Sequence, residues 1–186
     1  MWNLNQLGGC FSMVADKDPL VKALEGFSDA YRRALSSAMV RRLGLKPRGE
    51  QENIGLANAA FRVLGEGGDR LRWEPFFFDW FGGAASEDRA MGGARAPLYA
   101  GAAMAELRGW FGLFEADRPE RLDADYFKQA EPTELLYPDI EALWTAISER
   151  DDWGPFEQTI HRIRTARENY GLAQPALVAD SDNSDI

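Results

Sequence analysis

LVKALEGFSDAYRRALSSAMVRRL, residues 20–43, places Leu20, Leu24, Phe27, Tyr31, Leu35, Met39 and Leu43 three or four positions apart. At 3.6 residues per turn that spacing puts all seven on one helix face. Arg32, Arg33, Arg41 and Arg42 fall mostly off the stripe, and Gly44 is placed to end it. Cations in the last turn suit the negative end of the helix dipole. Just upstream, Asp18 is expected as the N-cap and Pro19 as the first helical residue. The reading is one long amphipathic helix.

The same period continues on both sides. Trp2, Leu4, Leu7, Phe11 and Val14 suit a helix weakened by Gly8 and Gly9. Ile54, Leu56, Ala57, Ala60, Phe61 and Leu64 predict a helix closing at Gly65-Glu66-Gly67-Gly68. Pro75 starts a short helix inside an aromatic run, Trp73 to Phe81, that Gly82-Gly83 closes. Further helices are expected over 97–114, over 138–149 (Ile140, Leu143, Trp144, Ile147) and from Trp153 to Tyr170, which Gly171 stops. A short helical turn ending in Tyr126-Phe127 is expected within Pro119 to Lys128. No stretch alternates with period two long enough to argue for a strand, so the fold class is all-α. Residues 1–172 read as a single domain. Residues 173–186, with Asp180, Asp182 and Asp185, read as an acidic disordered tail.

Composition narrows the function. The chain has 186 residues, 45% of them hydrophobic and 12% aromatic, enough for a core. Its net charge of −9 opposes binding to phosphate backbones or anionic lipid through bulk charge, so neither nucleic acid nor membrane is expected as a partner. One cysteine (Cys10) and one histidine (His161) cannot build a disulfide or a Cys/His zinc site. No apolar run is long enough to span a bilayer, and Met1 to Val14 lacks the basic start of a signal peptide, so the cytoplasm is the expected compartment.

Each chemical candidate has a structural alternative. Gly65 to Gly68 faintly resembles a phosphate loop, but a helix precedes it where a strand is needed, which favours a connector. His161 has no companion nucleophile and reads as a surface or packing residue. Cys10, among apolar residues, reads as a buried thiol. The pairs Asp123/Asp125, Asp139/Glu141 and Asp151/Asp152 have the chemistry for Mg²⁺ or acid–base work. However, Asp139, Asp151 and Asp152 stand where helices begin, where capping accounts for them. Asp79, inside the aromatic run, is the most tempting carboxylate; the favoured reading is a turn cap or an ion pair with Arg62, Arg72 or Arg89. Arg32, Arg33, Arg41, Arg42 and Arg48 read as a solvated face rather than an anion site. These residues alone identify no catalytic, cofactor-binding or metal-binding set.

Several segments do resemble a known family in order and spacing. Trp2-Asn3-Leu4-Asn5-Gln6-Leu7 resembles the W-N-L-x-x-L segment of SelO (YdiU) proteins, and FSDAYRRALSSAMVRRLGL (27–45) resembles their M-x-x-K/R-L-G-L helix. FFFDWFGG (76–83), the segment from Leu122 to Leu135, and IEALWTAISERDDWGPFEQTIHRI (140–163) resemble motifs of one bacterial branch. The resemblance covers nearly all of residues 2–171. It implies the C-terminal helical part of a protein-kinase-like (SelO pseudokinase) fold. The activity it implies is ATP-dependent transfer of AMP, with Mg²⁺ or Mn²⁺, to hydroxyl side chains of proteins.

The nucleotide-gripping, metal-binding and catalytic groups of that family precede W-N-L, so none of them maps onto this sequence. The family's C-terminal redox-active cysteine or selenocysteine also has no match here. The expectation is a chain that binds no cofactor itself and is inactive alone. Its partner would be a separate N-terminal catalytic half, or another protein met through exposed apolar surface. The aromatic run around Trp73 to Phe81 is the first candidate for that surface, although packing within the chain explains it equally well; the first helix is the next. A stand-alone helical interaction module and an independent carboxylate enzyme using Asp79 or Asp151 are the alternatives.

Overall fold

The computed structural model describes residues 2–172; the acidic tail anticipated from the sequence lies outside them. Nine α-helices are described: α1 (Trp2–Phe11), α2 (Lys17–Glu25), α3 (Phe27–Arg42), α4 (Glu50–Gly67), α5 (Trp73–Asp79), α6 (Glu87–Gly92), α7 (Ala102–Phe111), α8 (Tyr137–Arg150) and α9 (Gly154–Tyr170). Short 3₁₀ turns link several of them. The described residues contain no strand, only an isolated antiparallel bridge between Leu45 and Ala116.

The long helix expected over residues 20–43 is two helices. Gly26 separates α2 from α3, and the stripe is spent unequally on the two sides. Only Ser36, Met39, Val40 and Leu43, at the C-terminal end, are buried; Tyr31 is exposed and Leu20, Leu24 and Phe27 are half-buried. Periodicity records that a face is apolar but not how much of it finds a partner. α2 also starts earlier than expected. Asp16 occupies the extended N-cap position, and Pro19 stands third in the helix, still within the first turn where its missing N–H costs nothing.

α4 lies between α3 and α7 and forms the centre of the molecule. Its packing face is Asn53, Leu56, Ala57, Ala60, Val63 and Leu64, all buried. Small side chains on α4 let α7 approach closely: a Cβ at Gly55 would overlap the Trp110 ring.

α5 joins two cores. Phe76, Phe77 and Trp80 enter the main one with Leu43, Leu56, Leu107 and Phe111. Phe78 and Phe81 enter a second with Tyr126, Phe127, Ala166 and Tyr170. Trp80 stacks on Phe111 with ring centroids 5.4 Å apart, and Phe81 stacks on Phe127 at 4.8 Å. Each such ring contributes about 1.5–3 kcal/mol by burial, and each pair about 0.5–1.5 kcal/mol more. The aromatic run is therefore interior rather than a docking surface, and only its first ring, Trp73, is exposed.

The helix expected over residues 97–114 is also divided, into a 3₁₀ turn (Ala96–Tyr99) and α7. Gly101 is extended and begins α7. The break lets Tyr99, fully buried, point into the core rather than follow the face of α7. At the far end, α8 and α9 form a helical hairpin. Asp151, in the left-handed region at φ 51°, closes α8, and its carboxylate accepts from Trp153 Nε1 at 3.0 Å. Asp152 accepts from the Gly154 N–H at 3.1 Å, where α9 begins. Asp139 sits inside α8 and accepts from the Leu136 N–H at 2.9 Å. Asp139 and Asp152 thus serve helix starts as read, whereas Asp151 ends α8 and bonds a side chain rather than a helix N–H.

Candidate functional site

Of the sequence candidates, Asp79 has the geometry most like a site. It ends α5, where Phe76 to Phe78 pull the helix into the core and carry the carboxylate with them. Its Oδ2 accepts from Arg95 Nε at 2.7 Å and from the Tyr99 hydroxyl at 2.6 Å, and its Oδ1 accepts from Arg95 Nη2 at 2.8 Å. This is a fork-to-fork pair with a third, buried donor, the strongest common arrangement for a carboxylate. Arg95 also donates from Nη1 to Glu131 at 2.7 Å.

The partner is Arg95, not Arg62, Arg72 or Arg89. Arg62 pairs with Glu106, and Arg72 with Glu134. Arg89 lies closest to the expectation: its Nη2 donates to the backbone oxygens of Phe78 (2.7 Å) and Asp79 (3.2 Å), and its guanidinium lies over the Phe78 and Phe127 rings. Burial pushes the Arg89 pKa down, while the neighbouring Asp79 pulls it back. In Arg95 the hydrogen bond to Asp79 outweighs burial and raises the pKa. Burial first, then the hydrogen bond to Asp79, pushes the Tyr99 hydroxyl far above the ordinary tyrosine value. The cluster is thus a carboxylate fully engaged by an arginine and a phenol. It pins α5 to the Ala96–Tyr99 turn, with two donors on Oδ2 and one on Oδ1. Sequence reasoning missed Arg95 because it lies in a Gly-rich loop with no periodicity, and it missed Tyr99 because a continuous helix would have turned it elsewhere.

The other candidates are dispersed. Cys10 is exposed on α1 rather than buried: α2 packs against that helix but buries none of its residues. His161 is exposed on α9. Asp125 pairs with Lys128 at 2.8 Å on the surface. Gly65 to Gly67 are the last turn of α4, followed by Gly68 at φ 51°, which is a connector. Among the arginines, Arg42 is drawn inward: it pairs with Glu74 at 2.5 Å and stacks over the Tyr170 ring at 3.9 Å. Arg48 Nη1 donates to the Leu113 carbonyl at 2.8 Å. Among the described residues no group of three or more His, Cys, Asp or Glu side chains is placed to hold a metal ion. None of the described helices is long and apolar enough to cross a membrane.

A cleft of about 400 Å³ lies elsewhere, between the C-terminal ends of α3 and α9 and the segment 117–121.

A family model described as "Protein adenylyltransferase SelO" matches residues 1–164. The chain belongs to the SelO family. Among curated proteins, this SelO-family chain is similar to "Protein nucleotidyltransferase YdiU" of Trichodesmium erythraeum (strain IMS101), with 25% identity over 169 residues. That match covers 87% of this chain and 35% of the relative, so the chain spans about a third of the relative's length. No solved structure matches.

Proposed function

We propose that this chain is the C-terminal helical platform of a SelO-type protein adenylyltransferase, an enzyme that transfers AMP from ATP to hydroxyl side chains of proteins. Family membership and the short span against the YdiU relative support that reading. Its helices would then complete a protein-kinase-like fold whose remaining part binds ATP with Mg²⁺ or Mn²⁺. Transfer of this kind depends on fixed cations and metal ligands around the phosphates. Those groups would come from outside the residues described here, in the cytoplasm.

The single observation that carries the silent-platform reading is the engagement of Asp79. Both oxygens of the most core-embedded carboxylate are spent on Arg95 and Tyr99. A buried carboxylate held by a bidentate arginine and a tyrosine is fixed in place as a link between helices, which is the role assigned to it here rather than that of metal ligand or general base.

The second reading, a helical module that binds another protein, is favoured by exposed apolar side chains at two places. Trp2, Met13 and Val14 are 72%, 81% and 83% exposed on α1 and the turn after it, and Tyr137 and Trp144 are exposed on α8. In the platform reading, the catalytic half of the enzyme would cover such residues.

The test is intact-mass spectrometry of the full chain after incubation with ATP and Mn²⁺, with and without a hydroxyl-bearing protein acceptor. The expected result is no AMP adduct on either protein. Adducts that disappear in Asp79→Asn would place the chemistry within these residues and end the platform reading.

A further inference from the structure

The cleft between α3 and α9 concentrates positive charge in a protein of net charge −9. Arg41, Arg118 and Arg121 line it, against the single carboxylate of Asp117. Ser37 lines it too, one helical turn before Arg41 on the same face of α3. Among the described residues Arg41 has no ion pair, and Arg118 has only a loose contact with its neighbour Asp117 at 4.0 Å. Unpaired guanidinium groups gathered in a concave, half-enclosed space attract anions more strongly than the same groups on a convex surface, because low-dielectric walls focus the field.

A purely structural role accounts for part of this arrangement. The C-terminal ends of α3 and α9 both face the cleft, and each carries about half a negative charge. Arg121 serves one of them: its Nη1 donates to the Asn169 carbonyl at 3.4 Å. Gly171, at φ 67°, makes room for it, since a Cβ there would overlap the Arg121 guanidinium. Capping explains Arg121 but neither Arg41 nor Arg118, which have no such acceptor.

We propose that this cleft binds a small phosphate-bearing anion, held by Arg41 and Arg118 from opposite sides with the Ser37 hydroxyl as a further donor. A carboxylate is satisfied by one arginine fork, whereas a phosphate or pyrophosphate has enough oxygens for forks arriving from two elements. The volume of about 400 Å³ lies in the range of small-molecule sites and admits a pyrophosphate group. Binding there is independent of AMP transfer and stands or falls apart from the proposed function.

The experiment is calorimetric titration of the full chain with inorganic pyrophosphate, without divalent metal and at constant ionic strength. Saturable binding is expected. Arg41→Gln and Arg118→Gln should each weaken it by about tenfold, the loss of one charge-assisted hydrogen bond. Both side chains are exposed, so their thermal melts should match the parent protein. No saturable heat, an equal response to chloride at the same ionic strength, or undiminished binding in both variants would overturn the proposal.

Discussion

Replacing Asp79 with alanine strips three hydrogen bonds from a side chain that is 7% exposed. Removing one member of a buried ion pair commonly costs 3–5 kcal/mol, because the other charge is stranded. Here Arg95 keeps Glu131 as a partner and some access to water, which lowers that part of the cost. Tyr99, fully buried, loses its acceptor outright, which adds about 1–3 kcal/mol. Together these give a loss of about 3 kcal/mol, or a fall in Tm of about 6–12 °C for a chain of this size. Asp79→Asn keeps the shape and one acceptor oxygen and should lose about 1–2 kcal/mol. Asp79→Leu combined with Arg95→Met should recover part of the loss, because no charge is then left unpaired. Urea unfolding followed by circular dichroism measures all four proteins; the midpoint should move at a constant m-value. A loss below about 0.5 kcal/mol for Asp79→Ala would refute the claim that this cluster joins α5 to the Ala96–Tyr99 turn.

Two further outcomes follow from geometry. Gly44→Ala forces a non-glycine residue to φ 65° and sets a Cβ 2.6 Å from the Phe81 ring, so it should cost more than about 1 kcal/mol in urea unfolding. Gly65→Ala, in α4 with nothing within 4 Å of the new Cβ, should instead stabilise by about 0.5–1 kcal/mol. The alkaline limb tests the buried phenols. Burial is the main cause holding both Tyr99 and Tyr170 above the ordinary value, helped at Tyr99 by Asp79 and at Tyr170 by Glu74. The unfolded chain releases these protons near pH 10 while the folded one retains them, so their contribution is complete below about pH 10 and is lost as pH rises further. Tyr99→Phe and Tyr170→Phe should each flatten that decline, measured as the urea midpoint against pH alongside tyrosinate absorbance.

Local chemistry was legible wherever one residue type forces one conformation. Gly44 and Gly171 end helices in the left-handed region, as their places after apolar stripes predicted. The short turn at Tyr126-Phe127 and the starts of α8 and α9 were readable from proline and carboxylates near them. Family membership was legible too, since motif order survives without any knowledge of contacts. The identity of Asp79's partner was not: five arginines lie within twenty residues of it in sequence, and only the fold decides which one can reach. The burial of Cys10 was misjudged for a related reason. An apolar neighbourhood in sequence is a statement about one helix, and the packing of α2 on α1 is too slight to turn that statement into burial.

By itself, then, the sequence determined the helical class, the helix ends marked by Gly44, Gly67-Gly68, Pro138 and Gly171, and the family. Each of these depends on backbone period, on the φ a glycine or proline permits, or on residue order along the chain. Tertiary structure decided which apolar stripes are core and which remain exposed, that α5 divides its rings between two cores, that Arg95 and Tyr99 converge on Asp79, and that three arginines from two segments share one cleft. These are outcomes of packing between residues distant in the chain, whose separations are set by all the helices together and by no local pattern.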